Sequence, residues 1–282
     1  SGQQVTIQPP APLALGQNYH VEIDAGALTD LAGNAYAGLA GATGWNFSVP
    51  DPAISLQPIA ADNRINAAEN ATPITLSGRV SSTNPALPGQ LAAGDITVSL
   101  VPQGSGATVR GTATRYDAQT GEWAYELPAQ ALGGGHTYNV TVVLDKAGVG
   151  AARTASVVEV DTTGPSVLTL ALGSSSGADA TYAVGDVITV TAQMSEATVV
   201  TGTPQLALDV GGTTRLATYT GGSGSQLLSF SYTVQAGDGD ANGVAVPAGS
   251  LQLQGGSLSD QAGNAAQLTY AALADNLSLI HI

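Results

Sequence analysis

Three observations predict an all-β protein built as an elongated array of tandem sandwich modules. Apolar residues alternate with period two in about a dozen short runs, and no segment keeps helical apolar periodicity for more than a turn or two. Those runs are bracketed by turn-forming residues, with 36 Gly and 14 Pro in 282 residues. Finally, Asp30, Asp145 and Asp260 stand 115 residues apart, each opening a related pentapeptide. These read Asp30-Leu31-Ala32-Gly33-Asn34, Asp145-Lys146-Ala147-Gly148-Val149 and Asp260-Gln261-Ala262-Gly263-Asn264. A period the size of one small domain indicates repeated modules rather than one large fold, and ~115 residues suffice to bury a core without disulfide staples.

The elements follow in order. Tyr19/Val21/Ile23 and Trp45/Phe47/Val49 each share one face of a strand. With about three strands, residues 1–50 cannot close a sandwich alone, so they read as the C-terminal part of a module whose front half lies upstream. Residues 51–164 carry the alternating sets Ile74/Leu76, Ile96/Val98/Leu100, Trp123/Tyr125/Leu127, Tyr138/Val140/Val142/Leu144 and Val158/Val160. Residues 165–276 carry Leu168/Leu170/Leu172, Ile188/Val190/Ala192, Leu206/Leu208/Val210, Leu228/Phe230/Tyr232/Val234 and Leu251/Leu253. The spacing is that of sandwich strands. Prolines close both boundaries, at Val49-Pro50-Asp51-Pro52-Ala53 and Asp161-Thr162-Thr163-Gly164-Pro165, because they cannot continue a ladder. Trp45 and Trp123 are expected as core anchors.

Both ends read as cuts. Met194 is the only methionine, and Leu277 to Ile282 match the translation of the mosaic-end adapter used in transposase-based sequencing libraries. Residues 277–282 are therefore excluded from the fold reading as an adapter artefact, and the chain is expected to be a piece of a longer protein.

Seven Lys+Arg against 21 Asp+Glu give a net charge of −14 and an isoelectric point near 4.1. Such a surface repels nucleic acid and anionic membrane and suits hard cations held by oxygen, although acidity also serves solubility alone. The absence of Cys excludes disulfides and thiolate metal sites.

Asp-x-Ala-Gly-Asn makes chemical sense as a calcium turn: a carboxylate, a Gly permitting φ > 0, and an Asn that offers an amide oxygen. One pentapeptide cannot supply six to eight oxygens. The candidate turns are Asp260/Asn264, Asp30/Asn34 and the degraded Asp145 copy. Partners are sought from Asp62, Asn66 and Glu69 in the middle module, and from Glu196, Asp238 and Asp240 in the last. Asp238, Asp240 and Asn242, followed by Gly243, match half of an Asp-x-Asp-x-Asn-Gly calcium loop. The EF-hand glutamate would fall at Gly249, so a short calcium turn and a solvated acidic turn both remain open. Asp51 and Asp161 lie in linkers, where a cation would stiffen the joint; Asp161 with Asp62 or Glu69 is one such arrangement. For the three pentapeptides the alternative is an Asx-turn that bonds only its own backbone, and for the linkers plain turn-forming Asp residues.

Catalytic candidates are thin. His20 and His136 read as solvent-facing strand residues. Gly173-Ser174-Ser175-Ser176-Gly177 satisfies Gly-x-Ser-x-Gly without the strand–elbow–helix context that motif needs. No aromatic platform accompanies the Asp238/Asp240 pair that a glycosidase reading would use.

Residues 166–276 resemble a bacterial Ig-like module repeated in giant RTX and biofilm-associated adhesins. The residues that carry this are Gly185 to Val190, Ser195-Glu196, Thr203 to Leu208, Phe230 to Val234, Gly237 to Asp240 and Asp260 to Asn264. Residues 53–165 are similar to a second Ig-like type, through Asp62 to Glu69, Ile74 to Val80, Gly121-Glu122-Trp123 and the Asp161 to Pro165 linker. Residues 1–50, with Gly16 to Tyr19 and Asp30 to Asn34, are similar to the end of an S-layer-type Ig-like module. The resemblance implies a non-enzymatic extender at the bacterial cell surface or in the extracellular medium, with calcium at or near the junctions rigidifying the array. Its partners would be neighbouring Ig-like modules and, through a distal domain elsewhere in the protein, a cell-surface glycan or protein. No nucleic-acid binding or membrane insertion is expected. Rival readings are an Ig-like module that itself binds glycan or protein, and an accessory region of an extracellular polysaccharide-degrading enzyme. Lys146 and Val149 depart from the turn pattern and weaken the Asp145 copy.

Overall fold

The computed structural model describes residues 4–11, 13, 16–41, 43–49, 51–174, 182–240 and 243–274. Asn242, Ser175 and the adapter-like 277–282 lie outside them. The chain divides into two units, Ser1–Arg64 with Glu69–Val160, and Ile65–Ala68 with Asp161–Ile282. Among the described residues no helix is long and apolar enough to cross a membrane.

In the first unit, β1 (Asn18–His20) and β2 (Asn46–Ser48) form an antiparallel ribbon. Tyr19 stands opposite Phe47 with ring centroids 5.9 Å apart. The alternation is as expected, but its burial is not, because Trp45 is 51% exposed and Phe47 41%. A sandwich sheet buries one face only against a second sheet, and no second sheet covers this ribbon among the described residues. Trp45 is thus no core anchor here. His20, on the opposite polar face, lies 3.4 Å from Glu22.

The rest of the unit contains two sheets. Its strands are β3 (Ala53–Ile54), β4 (Arg64–Ile65), β5 (Ile74–Ser81), β6 (Ile96–Pro102), β7 (Val109–Thr112), β8 (Arg115–Tyr116), β9 (Glu122–Leu127), β10 (His136–Lys146) and β11 (Gly150–Val160). They pair in the orders β3-β5-β9-β8 and β4-β11-β10-β6-β7. Leu76, Val80, Trp123 and Leu127 of the first sheet are buried, as are Ile96, Leu100, Val140 and Leu144 of the second. The indole N–H of Trp123 donates to the Ser55 carbonyl at 3.1 Å, which satisfies its one polar atom.

The second unit comprises β12 (Val167–Ser174), β13 (Val187–Thr201), β14 (Gln205–Val210), β15 (Thr213–Gly221), β16 (Ser225–Thr233), β17 (Leu251–Gln252) and β18 (Ser257–Ser259). Six pair in the order β12-β13-β16-β15-β14-β17, and β18 pairs with the far end of β13. The core gathers Ile188, Val190, Met194, Leu206, Leu208 and Phe230 around the inner faces. At the start of β12 the register slips between Val167 and Thr169. This bulge turns Val167 inward and leaves Leu168 59% exposed, whereas strict alternation had placed Leu168 in the core. β13 carries a larger break, with its pairing to β16 shifting between Gln193 and Thr198. Glu196 sits in that break, freed from the alternation that would otherwise dictate where it points.

Candidate metal centre

Asp260 directly follows β18 and opens a turn whose geometry follows from its sequence. Its backbone N–H donates to the Asn264 carbonyl at 3.1 Å, and Ser259 bridges Ala265 on the other side. Gly263 takes φ +93°, a left-handed conformation that glycine adopts without a Cβ penalty. The Asp260 carboxylate accepts from the Asn264 backbone N–H at 2.8 Å and from its amide Nδ2 at 2.6 Å. The residue is 4% exposed.

Asn264 then organises the surroundings. Its Nδ2 also donates to the Asp161 carbonyl at 2.9 Å, and its Oδ1 accepts from the Ala67 backbone N–H at 2.8 Å. Asn66 Nδ2 adds a bond to the Ala262 carbonyl at 3.1 Å. Asn264 is therefore a positioning residue whose amide oxygen is already engaged. Beyond it, Ser166 bridges Gln267 in parallel, and Gln267 N–H donates to the Pro165 carbonyl at 2.7 Å. This holds the 161–166 segment along the 264–267 segment.

The outcome is a convergence of three carboxylates. Oxygens of Asp161, Glu196 and Asp260 all lie within 4.8 Å of one another, the only such group of three among the described residues. Burial first, and then the charges of Asp161 and Asp260, push the Glu196 carboxyl above its ordinary 4.5. Oxygens at 2.3–2.6 Å from one calcium ion lie at most about 5 Å apart, so the spacing fits a single hard cation. The donor set contains neither imidazole nor thiolate, which argues against the softer transition metals. Backbone carbonyls and water would have to complete the six to eight ligands.

Gly164 makes the close approach feasible. A Cβ there would meet the Ala265 carbonyl oxygen at 2.1 Å. Gly164→Ala should lower the second unit's stability by about 1–3 kcal/mol, through overpacking of backbone against backbone. A denaturant midpoint equal to wild type would contradict that close contact.

The other expected ligands lie elsewhere. The Asp30–Asn34 turn repeats the Asp260 geometry: Asp30 accepts from the Asn34 N–H at 2.8 Å, Asn34 Nδ2 at 2.8 Å and the Ala32 N–H at 2.9 Å. The Asn34 side chain, then its N–H, holds the Asp30 carboxyl below the usual range. It is exposed, and among the described residues no second and third carboxylate join it. Asp145 is no turn residue at all; it occupies the end of β10 opposite Ala151, with its pentapeptide running into the β10–β11 hairpin. Lys146 Nζ pairs instead with Asp95 at 2.8 Å. Asp62 caps Arg64 N–H at 2.9 Å, and both Asp62 and Glu69 belong to the first unit, so neither is in the cluster that holds Asp161. Asp51 of the first linker accepts from Ser82 and Thr83 hydroxyls at 2.9 and 2.8 Å and from Thr83 N–H at 2.9 Å.

Asp238 and Asp240 are buried, 5% exposed each, but with protein partners. Asp238 takes two guanidinium contacts from Arg215, at 2.6 and 2.8 Å. The Tyr232 hydroxyl donates to it at 2.5 Å and the Gln235 N–H at 2.8 Å. Burial pushes the Asp238 carboxyl up, but Tyr232, Gln235 and Arg215 together outweigh it and leave it below the usual range. Burial and the bond to Asp238 in turn push Tyr232 up to about 12. Asp240 accepts from the N–H groups of Gly211 at 2.8 Å and Gly243 at 2.9 Å. The guanidinium thus supplies positive charge at a loop for which the sequence left a calcium turn and a solvated acidic turn both open. Arg215 is the only cation after residue 160, a signal that pointed to this pairing and was missed.

Residues 1–49 match the family model of the bacterial Ig-like domain. Among curated proteins no sequence matches the chain. Similar solved structures include a 1.5-MDa bacterial ice-binding adhesin, at 17% identity and TM-score 0.41, over 82% of this chain and 64% of that one. A Ca2+-stabilized adhesin of an ice-binding Antarctic bacterium is similar at 19% identity and TM-score 0.35, over 90% of this chain and 55% of that one. A tetra-tandem repeat from the extending region of a large adhesion protein is similar at 16% identity and TM-score 0.29, over 94% and 68%. The chain spans under two thirds of the length of the first two.

Proposed function

We propose that this chain is a non-enzymatic extender segment of a bacterial cell-surface or secreted adhesin, ordered by calcium. The observation that carries the calcium part is the convergence of Asp161, Glu196 and Asp260, drawn from a linker, a broken strand and a turn. The extender part is supported by the bacterial Ig-like match at residues 1–49 and by sandwich units that follow one another in the chain. Calcium would tie Asp161, at the start of the linker, to the body of the second unit. A stalk stiffened in this way holds a distal binding domain away from the cell, and a chain secreted unfolded would gain its stability on meeting extracellular calcium. Residues 1–50 would be the C-terminal part of a larger module, whose remaining strands cover Trp45 and Phe47.

The test is a pair of melts, in EDTA and in millimolar calcium, with X-ray scattering under both conditions. At a free concentration a hundredfold above Kd, the ion should stabilise the second unit by about 2.7 kcal/mol, or about 10 °C. Identical melting temperatures and identical scattering dimensions would end the calcium reading.

A further inference from the structure

We propose that the outer face of the β11-β10-β6-β7 sheet binds an acidic polysaccharide, a chain bearing uronate carboxylates, in the groove between Arg110 and Arg153. The inference is independent of the calcium centre, which lies in the other unit.

The starting point is a scarcity. In a chain of net charge −14 with only seven Lys and Arg, two arginines flanking one groove on one sheet face stand out. Arg64, Lys146 and Arg215 are paired, at 3.6, 2.8 and 2.6 Å, with Glu159, Asp95 and Asp238. Four arginines have no carboxylate within ion-pair distance among the described residues: Arg79 donates through Nε to the Thr120 carbonyl at 2.8 Å and Arg115 stands on β8 of the other sheet, whereas Arg110 and Arg153 belong to this one. Arg153 has only a long contact, its guanidinium to the Thr141 hydroxyl at 3.4 Å.

Strand register places both arginines on one face. Arg153 pairs with Val143, Val143 with Thr97, and Thr97 with Thr112. In the next row, Thr141 pairs with Ser99 and Ser99 with Arg110. The arginines therefore rise from β11 and β7, three strand spacings or about 14 Å apart. Between them is an open groove of about 660 Å³, whose floor includes Thr97, Ser99, Thr112 and Thr141. The two rows contain no acidic residue.

This chemistry favours a charged sugar chain over a protein. A protein interface is anchored by a desolvated apolar or aromatic centre, and Val143 alone offers little of that. Hydroxyl side chains both donate and accept, which matches sugar hydroxyls. Planar guanidinium forks match carboxylates in bidentate geometry. Two forks set several strands apart suit charges that repeat along a polymer. Elsewhere the acidic surface repels such a polymer, so binding would be confined to this strip.

The experiment uses the full chain, polygalacturonate oligomers as probe and neutral dextran as control, at low ionic strength. EDTA is present, so that calcium cannot bridge carboxylates to the acidic surface. Calorimetry should show polygalacturonate binding and no dextran binding. Arg110→Gln and Arg153→Gln should each weaken it about tenfold, while melting temperatures stay at wild type because both side chains are exposed. Polymer affinity unchanged in the double variant would overturn the proposal, as would no binding at millimolar oligomer. So would sedimentation showing instead a dimer that Arg153→Gln dissolves, since the occupant would then be a second copy of the chain.

Discussion

Glu196→Gln should make the second unit more stable than wild type in EDTA and less stable in calcium. The opposite signs come from one cause. Without an ion, three carboxylates whose oxygens lie within 4.8 Å repel one another. The raised Glu196 carboxyl records that penalty, through burial and then the Asp161 and Asp260 charges. A group with its folded pKa raised contributes stability that is fully present below its ordinary 4.5 and is lost as pH rises through the raised value. At neutral pH the ionised Glu196 is therefore a liability, and a neutral amide relieves it. In calcium the amide removes one of three charged ligands. A hundredfold loss of affinity, at calcium a hundredfold above the wild-type Kd, would shrink the ion's benefit from about 2.7 to about 0.4 kcal/mol. Asp260→Ala should behave differently and fall below wild type in both conditions. It strips Asn264 of both its carboxylate acceptors, so the turn is lost with the ligand. If Glu196→Gln lowers the melting temperature equally with and without calcium, the cluster is a structural feature and no metal centre.

Much of this was legible from the residues, up to the point where two distant breaks in regularity decide the geometry. The alternating sets of β5, β9, β10 and β16 were readable because large apolar residues mark the inward positions. β15 and the first half of β11 were hidden, since in Thr213-Thr214-Arg215 and Ala151-Ala152-Arg153-Thr154-Ala155 the small and polar residues leave hydropathy almost flat, and only the Val158/Val160 end of β11 was readable. Asp161, Glu196 and Asp260 were each recognisable as oxygen donors, but their meeting depends on the register break between Gln193 and Thr198, which no period-two pattern encodes. Two of the three pentapeptides fold into the same turn. They diverge because β18 pairs with β13 a few residues beyond Glu196, whereas the Asp30 turn is exposed and has no comparable neighbour among the described residues. The middle copy has Val149 where the other two have Asn, and it runs into the β10–β11 hairpin. Trp45 was misplaced because the alternation of β2 reports a face meant for burial and says nothing of whether the covering strands are present.

Asp238→Asn should destabilise the second unit by about 3 kcal/mol, lowering its melting temperature by about 10 °C, and to the same extent in EDTA and in calcium. The wild-type carboxylate accepts from Arg215, Tyr232 and the Gln235 N–H at once, on a side chain 1% exposed. An amide has one acceptor oxygen and no charge, so it leaves the guanidinium unpaired and turns N–H groups toward existing donors. Arg215 keeps some access to water, which places the cost at the lower end of what breaking a buried pair brings. The pH profile carries a second readout. Because the folded Asp238 carboxyl lies below its ordinary 3.8, its contribution is present above that value and disappears as pH falls through the lower folded one. Wild type should therefore lose this stability below about pH 4, while Asp238→Asn is flat across that window. Tyr232 supplies the alkaline counterpart: raised from 10.0 to about 12, its contribution is whole below pH 10 and fades as pH climbs toward 12. Burial is the larger part of that shift, so in Asp238→Asn the phenol should still titrate above 10, though earlier than in wild type. A calcium-dependent difference between wild type and Asp238→Asn would show that this loop holds an ion and that Arg215 does not replace it.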